Sequence, residues 1–414
     1  MALEADQTPP RRQRDRRAQL TEAAAELFRR RGYHGVSVND IAAAAGLTGP
    51  AVYRHFNGKQ DVLAQVLLAG IDRFAEVTEE ALGPDGATRP EAALSALTSA
   101  MATLAVDRRE VTALWRWQGR HLDRGERDLI RGRGVDIMNR WITALRAART
   151  ELSEPDAGLL CWAALSVFGS VADHHVSVPR RRFEALLCRL ADAVLAAGVI
   201  APARPAPSTP ERPGWQPQAT PPSRREQLLS AATTLFRERG YQAVSMEDIG
   251  ARAGIAGPSI YRHFTSKTEI LLAASYRMAD RLTIGAERAV DEATDAMSAL
   301  TGVVKSYVDN VMRVDNLVVA QANEATEVPD RDRRALRRIQ RSYVAGWVRL
   351  LREVSPGLTE PDARIVVHAA LTIVNDLGRT TRIARRPDIV AELAGLATTV
   401  LVSATSAPSP DPRA

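Results

Sequence analysis

Two short stretches of the chain each combine a tyrosine, an arginine and a histidine with a lysine four positions further on. The stretches are Tyr53, Arg54, His55 and Lys59, and Tyr261, Arg262, His263 and Lys267. Guanidinium and imidazole groups donate hydrogen bonds to base edges or phosphates, and an ammonium serves as a point charge for phosphate. The residue types therefore predict two surfaces that bind a nucleic acid.

Both stretches lie in a segment that occurs twice. Residues 16–63 and 224–271 align without a gap at a shift of 208 positions and agree at 27 of 48 positions. The chain carries a net charge of +6, and residues 11–60 alone carry +6 whereas residues 223–272 carry +2. The positive charge is thus concentrated on the repeated segment, mainly on its first copy, which favours a polyanionic partner.

The residues before the first stretch have the spacing of a helix with one buried face. That apolar face comprises Leu20, Ala23, Ala24, Leu27 and Phe28. Gly32 follows at the place expected for a left-handed helix end. Ser37 and Asp40 then form an S-x-x-D capping pair, which predicts a second helix from about Val38.

A glycine turn separates this second helix from a third. Gly46 ends the second helix, and Thr48 is the expected N-cap of the third, with Pro50 in its first turn and Phe56 near its end. Two short helices with an apolar inner face and a glycine turn between them predict a helix-turn-helix. A plain helical hairpin is the alternative, but it leaves the exposed-type residues of the third helix unexplained.

At this point both copies resemble the N-terminal DNA-binding domain of the TetR family of transcriptional repressors. The matching stretches are ELFRRRGYHGVSVNDIAAAAGLTGPAVYRHFNGK and TLFRERGYQAVSMEDIGARAGIAGPSIYRHFTSK. The resemblance implies that the third helix enters the major groove, and that the N-cap serine, the tyrosine and the lysine contact the DNA backbone. The DNA-binding residues predicted in this way are Ser37, Thr48, Gly49, Pro50, Ala51, Tyr53, Arg54, His55 and Lys59 in the first copy, and Ser245, Gly257, Pro258, Ser259, Tyr261, Arg262, His263 and Lys267 in the second. A solvated surface is the alternative for each arginine.

The two copies are expected to differ in strength. The second copy lacks the arginines that precede the first, which either follow DNA or form a solvated tail. It has Ala256 where the first has the capping residue Thr48, and Glu247 where the first has Asn39. Because a carboxylate repels phosphate, we expect the second copy to bind DNA more weakly or to bind a different half-site.

The repetition extends beyond the helix-turn-helix, since residues 152–168 resemble residues 358–374 at a shift of 206. Apolar residues fall at helical spacing, so the predicted fold class is all-α, with two TetR-like domains. Each would be a helix-turn-helix domain followed by a helical ligand-binding and dimerisation bundle. The predicted segments are a basic flexible arm (1–14), a first DNA-binding domain (15–63), a first regulatory domain (64–199), a Pro-rich linker (200–223), a second DNA-binding domain (224–271), a second regulatory domain (272–405) and a disordered tail (406–414).

Few residues outside the repeated segment indicate catalysis, metal binding or membrane insertion. The sequence shows no enzyme motif and predicts no cofactor or metal; Asp173-His174-His175 is interpreted as an exposed helix end. Cys161 and Cys188 are expected to be buried reduced thiols, and the arginine-rich stretch 331–341 a solvated helix face. The aromatic cluster at 114–117 and 162 is assigned to core, with a pocket wall as the alternative. Neither a membrane span nor a secretory signal is predicted, so a cytoplasmic protein is expected.

These observations predict a sequence-specific DNA-binding transcriptional regulator, a ligand-responsive repressor with both DNA-reading heads in one chain. The expected partners are double-stranded operator DNA and a small-molecule effector that the sequence does not identify. Either the two halves pair within one chain, or two chains form a homodimer. The alternatives are a sequence-tolerant architectural DNA binder and a helical ligand-binding protein with vestigial heads.

Overall fold

The structure is a computed structural model that describes residues 11–33, 35–83, 89–109, 122–198, 223–255, 257–312 and 328–404. Throughout these residues the regular secondary structure is helical, which confirms the predicted all-α fold class. By its internal contacts the chain forms two compact units, residues 1–175 with 179–188, and residues 176–178 with 189–414.

The helices of the first repeat begin with a three-helix head. The described helices are α1 (Arg11–Arg31), α2 (Val38–Ala44), α3 (Gly49–Val52), α4 (Lys59–Leu82), α5 (Pro90–Asp107), α6 (Arg124–Ala148), α7 (Glu154–Gly169) and α8 (Arg180–Ala196). A short 3-10 helix, Ser170–Asp173, follows α7. Helix α1 already includes residues 11–14, which the sequence assigned to the flexible arm.

The second repeat has the same order of helices. They are α9 (Arg224–Arg239), α10 (Met246–Ala253), α11 (Gly257–Ile260), α12 (Lys267–Asp291), α13 (Ala296–Met312), α14 (Asp330–Val354), α15 (Glu360–Arg379), α16 (Thr381–Ala384) and α17 (Ile389–Ser403). Most of the predicted linker lies outside the described residues. Its last residue, Ser223, is the N-cap of α9, because its side chain accepts a hydrogen bond from the Glu226 amide at 3.2 Å.

Helix α7 with the 3-10 helix after it is an apolar segment, Glu154–Asp173, long enough to cross a membrane by length and composition alone. Its most apolar stretch is 72% buried inside the chain, as is typical of the central helix of a packed domain. Other parts of the chain therefore bury most of this long apolar segment.

Candidate nucleic-acid interface

Each head contains the capping pair that the sequence predicts at the start of its second helix. The Ser37 hydroxyl accepts a hydrogen bond from the Asp40 amide at 3.1 Å, and the Asp40 carboxylate accepts one from the Ser37 amide at 2.8 Å. Ser245 and Asp248 repeat this capping box at 3.0 and 2.9 Å. The Ser37 hydroxyl and amide donate to the Asp40 carboxylate, and the Ser245 amide and hydroxyl donate to that of Asp248, which holds the pKa of both carboxyl groups below the ordinary value. Both serines are exposed, as a phosphate contact requires.

The turn between the two short helices depends on a glycine. Gly46 has φ +66°, a conformation that side-chain-bearing residues rarely adopt. Its amide bonds to the Ala43 carbonyl at 3.1 Å, and the Leu47 amide bonds to the Ala42 carbonyl at 2.8 Å. This pair of bonds is a Schellman motif, which ends α2 and reverses the chain before α3 begins. Gly254, with φ +64°, occupies the same place in the second head.

The recognition helix is shorter than predicted. The sequence places its end near Phe56, but regular α-helix stops at Val52 and residues 53–55 form a turn, although the Phe56 amide still bonds to the Val52 carbonyl at 3.0 Å. Thr48 has the backbone conformation of an N-cap, yet its side chain makes no capping hydrogen bond. The expected capping role of Thr48 is therefore wrong, and the inequality argued from Ala256 loses its basis.

The predicted DNA-reading residues form one exposed surface in each head. The tyrosine rings are unusually exposed for their size, at 61% for Tyr53 and 51% for Tyr261. The remaining exposed positions are Thr48, Pro50, Arg54, Pro258 and Arg262, and the half-buried ones are Gly49, Ala51, His55, Ser259 and His263. The last of the predicted recognition-helix residues, Gly257, is the first residue of α11. Val52 and Phe56 face the opposite way and are buried, so each helix is divided into a core side and an open side.

Lys59 and Lys267 contact the protein itself. The Lys59 Nζ donates to the Tyr33 carbonyl at 2.9 Å and lies 4.3 Å from the centre of the Tyr33 ring. The Lys267 Nζ donates to the carbonyls of Tyr241 and Val244, both at 2.8 Å, and lies 4.4 Å from the Tyr241 ring centre. Burial lowers the pKa of the Lys59 ammonium. Each lysine therefore joins the start of its long helix to the loop after α1 or α9, and a phosphate contact stays a prediction.

Arg17, for which the sequence left a DNA contact and a solvated tail as alternatives, lies against the aromatic ring that follows the recognition helix. The Arg17 guanidinium lies 5.0 Å from the centre of the Phe56 ring, and Arg225 lies 4.5 Å from that of Phe264. The signal was present, because both pairs recur at the shift of 208, but sequence reasoning did not connect them. Stacking of this kind stabilises the junction and leaves the outer edge of the guanidinium to solvent.

A second contact fixes the angle at which the recognition helix meets the long helix after it. The Asp61 carboxylate accepts a hydrogen bond from the Asn57 amide at 2.8 Å. In the second head the Glu269 carboxylate accepts bonds from the Thr265 amide at 2.7 Å and the Thr265 hydroxyl at 2.8 Å. Together with the lysines, these contacts join the starts of α4 and α12 to the rest of each head.

The hydrophobic core of each head includes residues from the regulatory helices. Leu122, just before α6, and Ile130 of α6 belong to the first head's core, and Val328, just before α14, and Leu336 of α14 belong to the second's. The Tyr276 hydroxyl of α12 donates to Asp332 of α14 at 3.2 Å. A displacement at the start of α6 or α14 would therefore change the packing of the head's hydrophobic core.

Charged side chains distinguish the two heads. In the second, Arg277 of α12 forms a two-armed ion pair with Glu226 of α9, whereas the first has Ala69 and Ala18 at these positions. Glu247 is exposed on the first turn of α10. Asn39, at the same place in the first head, has its side-chain oxygen directly against Gly49 of the recognition helix.

The remaining candidate sites mostly behave as core. His174 is buried against the Phe183 ring, with 5.9 Å between ring centres, so the expected exposed helix end is corrected for this residue. Cys161 is buried, which raises its thiol pKa, and Cys188 is half-buried. Trp162 is half-buried, whereas the cluster at 114–117 lies outside the described residues. Among the described residues no group of three His, Cys, Asp or Glu could hold a metal.

Comparison with known proteins agrees with this geometry. The family described as "Bacterial regulatory proteins, tetR family" matches residues 20–66 and 228–274. The HTH-type transcriptional repressor KstR2 of Mycolicibacterium smegmatis is 31% identical over 161 residues, covering 38% of this chain and 74% of the relative. The chain belongs to the TetR family. It is thus a DNA-binding transcriptional regulator, as the sequence predicts.

Other proteins match different shares of this TetR-family chain. The HTH-type transcriptional activator FasR of the same species is 42% identical over 86 residues, which span 21% of this chain and 39% of that protein. A tetR-family regulator from Rhodococcus RHA1 matches 44% of this chain and 98% of its own, at 21% identity and a TM-score of 0.39. PfmR from Thermus thermophilus matches 45% of this chain and 98% of its own, at 24% identity and a TM-score of 0.38.

Proposed function

We propose that the chain is a cytoplasmic, ligand-responsive repressor whose two heads read one operator from a single polypeptide. The observation that carries the proposal is the repetition, in one chain, of an entire head with its open Tyr-Arg-His surface. Two recognition helices fit successive major grooves when they are ~34–36 Å apart. A chain with two heads supplies both of these recognition helices without a second chain. Of the relatives, FasR is named an activator and KstR2 a repressor; the match to KstR2 covers 74% of its length against 39% for FasR, which favours repression.

The linker between the two halves supports their pairing within one chain. A linker of about 24 residues would hold the two halves at a high effective concentration, which favours pairing within the chain. A homodimer displaying four heads is the competing arrangement.

The release mechanism follows from the rigid junction between head and long helix. Because the Asn57–Asp61 bond joins the turn after α3 to α4, and Lys59 and the Arg17–Phe56 stack tie α4 and that turn to the α1 side of the head, a tilt of α4 would carry the recognition helix with it. An effector that displaces α4 or α12 by a few ångströms would therefore change the distance between heads and break the register with the grooves.

The first head is proposed to be the principal reader. Its segment carries the larger positive charge, and Asn39 stands where the second head has the exposed carboxylate of Glu247. An asymmetric operator is the natural target of two unequal heads. A symmetric homodimer would favour a palindrome.

The function is tested by selecting binding sites for the purified chain from random double-stranded DNA and measuring competition. A specific repressor should bind the selected site at least about 10³-fold more tightly than random DNA at physiological salt. An architectural binder would show a steep salt dependence and little preference between the two. Failure of Tyr53→Ala to weaken operator binding would favour vestigial heads.

A further inference from the structure

Helix α14 carries four exposed arginines on one face, which we call the arginine stripe. They are Arg334, Arg337, Arg338 and Arg341. Residues three, four and seven positions apart share one face of a helix, so the four guanidinium groups lie side by side. Leu336, which lies within the same stretch, is buried on the opposite face. The exposure agrees with the solvated helix face that the sequence predicts, and it leaves four positive charges open to a partner.

The arginine stripe forms no hydrogen bond or ion pair with the residues that the structure describes. The acids at the start of α14 are already engaged. Asp332 pairs with Arg331 at 3.3 Å, and Asp330 lies 4.0 Å from Arg333. Like charges three or four residues apart on a helix repel each other, so the stripe destabilises the free protein. A partner outside the described fold explains why such a group of charges is present.

The corresponding helix of the first unit, α6, lacks this stripe. The two helices correspond at a shift of 206, because Arg127 and Arg333 each donate to the carbonyl five residues earlier, at 2.8 and 2.9 Å. At this shift the four positions in α6 are Asp128, Arg131, Gly132 and Val135, which together carry no net charge. Arg131 lies 3.9 Å from Asp128 in an ion pair. The stripe therefore belongs to the second unit and is not required by the repeated fold.

The stripe lies on the turns of α14 that meet the second head. Leu336 belongs to the hydrophobic core of that head, and the Tyr276 hydroxyl of α12 donates to Asp332 at 3.2 Å. Because an α-helix rises 1.5 Å per residue, the stripe spans roughly 10 Å, a length over which duplex DNA carries about six phosphate charges. The length and the charge of the stripe therefore match a short stretch of the DNA backbone.

DNA is the polyanion that fits this position. The chain belongs to a family of DNA-binding regulators, and its second head is the less basic, since residues 223–272 carry +2 and residues 11–60 carry +6. Four guanidinium groups beside the second head supply positive charge that its own segment lacks. Guanidinium groups donate to phosphate oxygens whatever the base sequence, so such contacts add affinity and fix position.

We infer that the arginine stripe of α14 binds the phosphate backbone beside the half-site that the second head reads. The second reading surface is then composite, with base contacts from the head and phosphate contacts from a helix of the regulatory domain. The inference rests on the proposed reading of one operator by both heads, and it adds a DNA contact outside the repeated helix-turn-helix.

The test measures how the operator affinity of the full chain depends on salt. Each phosphate contact to duplex DNA contributes about 0.9 to the slope of log affinity against log salt concentration. The joint substitution Arg334→Gln, Arg337→Gln, Arg338→Gln and Arg341→Gln should therefore reduce the magnitude of the slope by roughly three to four. Arg338→Gln alone should reduce it by about 0.9.

The matched control removes the same number of charges from the corresponding helix of the first unit. Arg124, Arg131, Arg133 and Arg140 of α6 all pair with acidic residues. Their joint replacement by glutamine should leave the slope unchanged, and thermal melts confirm that both variants fold. An equal reduction in both variants would show an effect of net charge alone. That result, or an unchanged slope in the stripe variant, would overturn the inference.

Cross-linking identifies the occupant of the stripe directly. Arg338→Cys, labelled with an aryl azide, should cross-link on irradiation to DNA next to the half-site whose binding Tyr261→Ala weakens. The unaltered chain, in which Cys161 is buried and Cys188 half-buried, gives the background of the labelling. Cross-links to protein alone would assign the stripe to an acidic protein surface and overturn the inference. Because phosphate contacts carry no base information, the slope is also measurable on random duplex DNA, which separates a failure of this inference from a failure of the proposed operator reading.

Discussion

The Lys59 Nζ lies 2.9 Å from the carbonyl oxygen of Tyr33 and over the ring of the same residue, and Lys267 makes the same pair of contacts with Tyr241. A lysine that sequence reasoning assigned to phosphate thus holds the head together in the free protein. It joins the loop after the first helix to the helix that leads into the regulatory domain. Loss of DNA binding in a lysine variant is therefore ambiguous unless stability is measured beside it.

Lys59→Met is expected to destabilise the first head by roughly 1–3 kcal/mol, because the Tyr33 carbonyl loses a charged donor. Chemical denaturation followed by circular dichroism measures this change. Lys59→Arg is the control, since it keeps a cation near the ring while altering the geometry of the bond. A Lys59→Met variant with unchanged stability but weakened DNA binding would assign the lysine to phosphate alone.

Tyr53→Ala should weaken DNA binding without a loss of stability, the opposite of Lys59→Met. Because the ring is 61% exposed, its loss leaves the unfolding free energy almost unchanged, whereas operator affinity falls roughly tenfold, or ~1.4 kcal/mol. Titration of labelled operator DNA with variant protein gives the affinity. Tyr261→Ala serves as the comparison and should lose less, because the second head is the weaker reader. Equal losses would contradict the proposed inequality of the heads.

Glu247→Asn should strengthen DNA binding, because it removes the only acidic side chain on the second head's α10 that replaces an uncharged residue of the first. The reverse exchange, Asn39→Glu, should weaken binding by the first head. A gain of several-fold at low salt that shrinks as salt is raised would show that the effect is electrostatic. If neither exchange alters affinity, the side chain at this position does not face phosphate.

Ser37→Ala removes the cap of α2 and should cost roughly 1 kcal/mol of stability at neutral pH. Thr48→Ala is the matched control, since Thr48 occupies an N-cap position without a capping bond and its loss should change little. If both substitutions destabilise the protein equally, the capping bond of Ser37 contributes no more stability than the uncapped Thr48 side chain, which contradicts the prediction.

The pH dependence of the capping box has a defined sign. Hydrogen bonds from Ser37 hold the pKa of Asp40 below its ordinary value, so the ionised carboxylate stabilises the folded state. That contribution is complete above the ordinary value and is lost as the pH falls through the lowered one. The stability difference between the unaltered chain and Ser37→Ala should therefore shrink under acid. A difference that stays constant to the lowest pH at which the head folds would contradict this origin.

The sequence was sufficient for local features that depend on a few neighbouring residues. The Ser37–Asp40 cap, the left-handed glycine at Gly46 and the order of the head helices are encoded within one or two helical turns. Contacts between distant residues were not accessible in this way. Neither the Lys59–Tyr33 contact nor the position of Arg17 over Phe56 follows from spacing alone, because each depends on how α1 and α4 pack.

Two further differences have the same physical origin. Thr48 has the residue type of a cap, but a threonine side chain caps only when its rotamer points at the helix amides. His174 follows a helix end and is polar, yet packing against Phe183 buries it.

The central claim, that a single chain binds its operator with both of its heads and without a second chain, is tested most directly by the mass of the protein in solution with and without operator DNA. Light scattering coupled to size-exclusion chromatography should give the monomer mass of 45.0 kDa for the free protein, and one chain per operator in the complex. A free species of twice that mass, or two chains on each operator, would contradict the account and establish a homodimer with four heads.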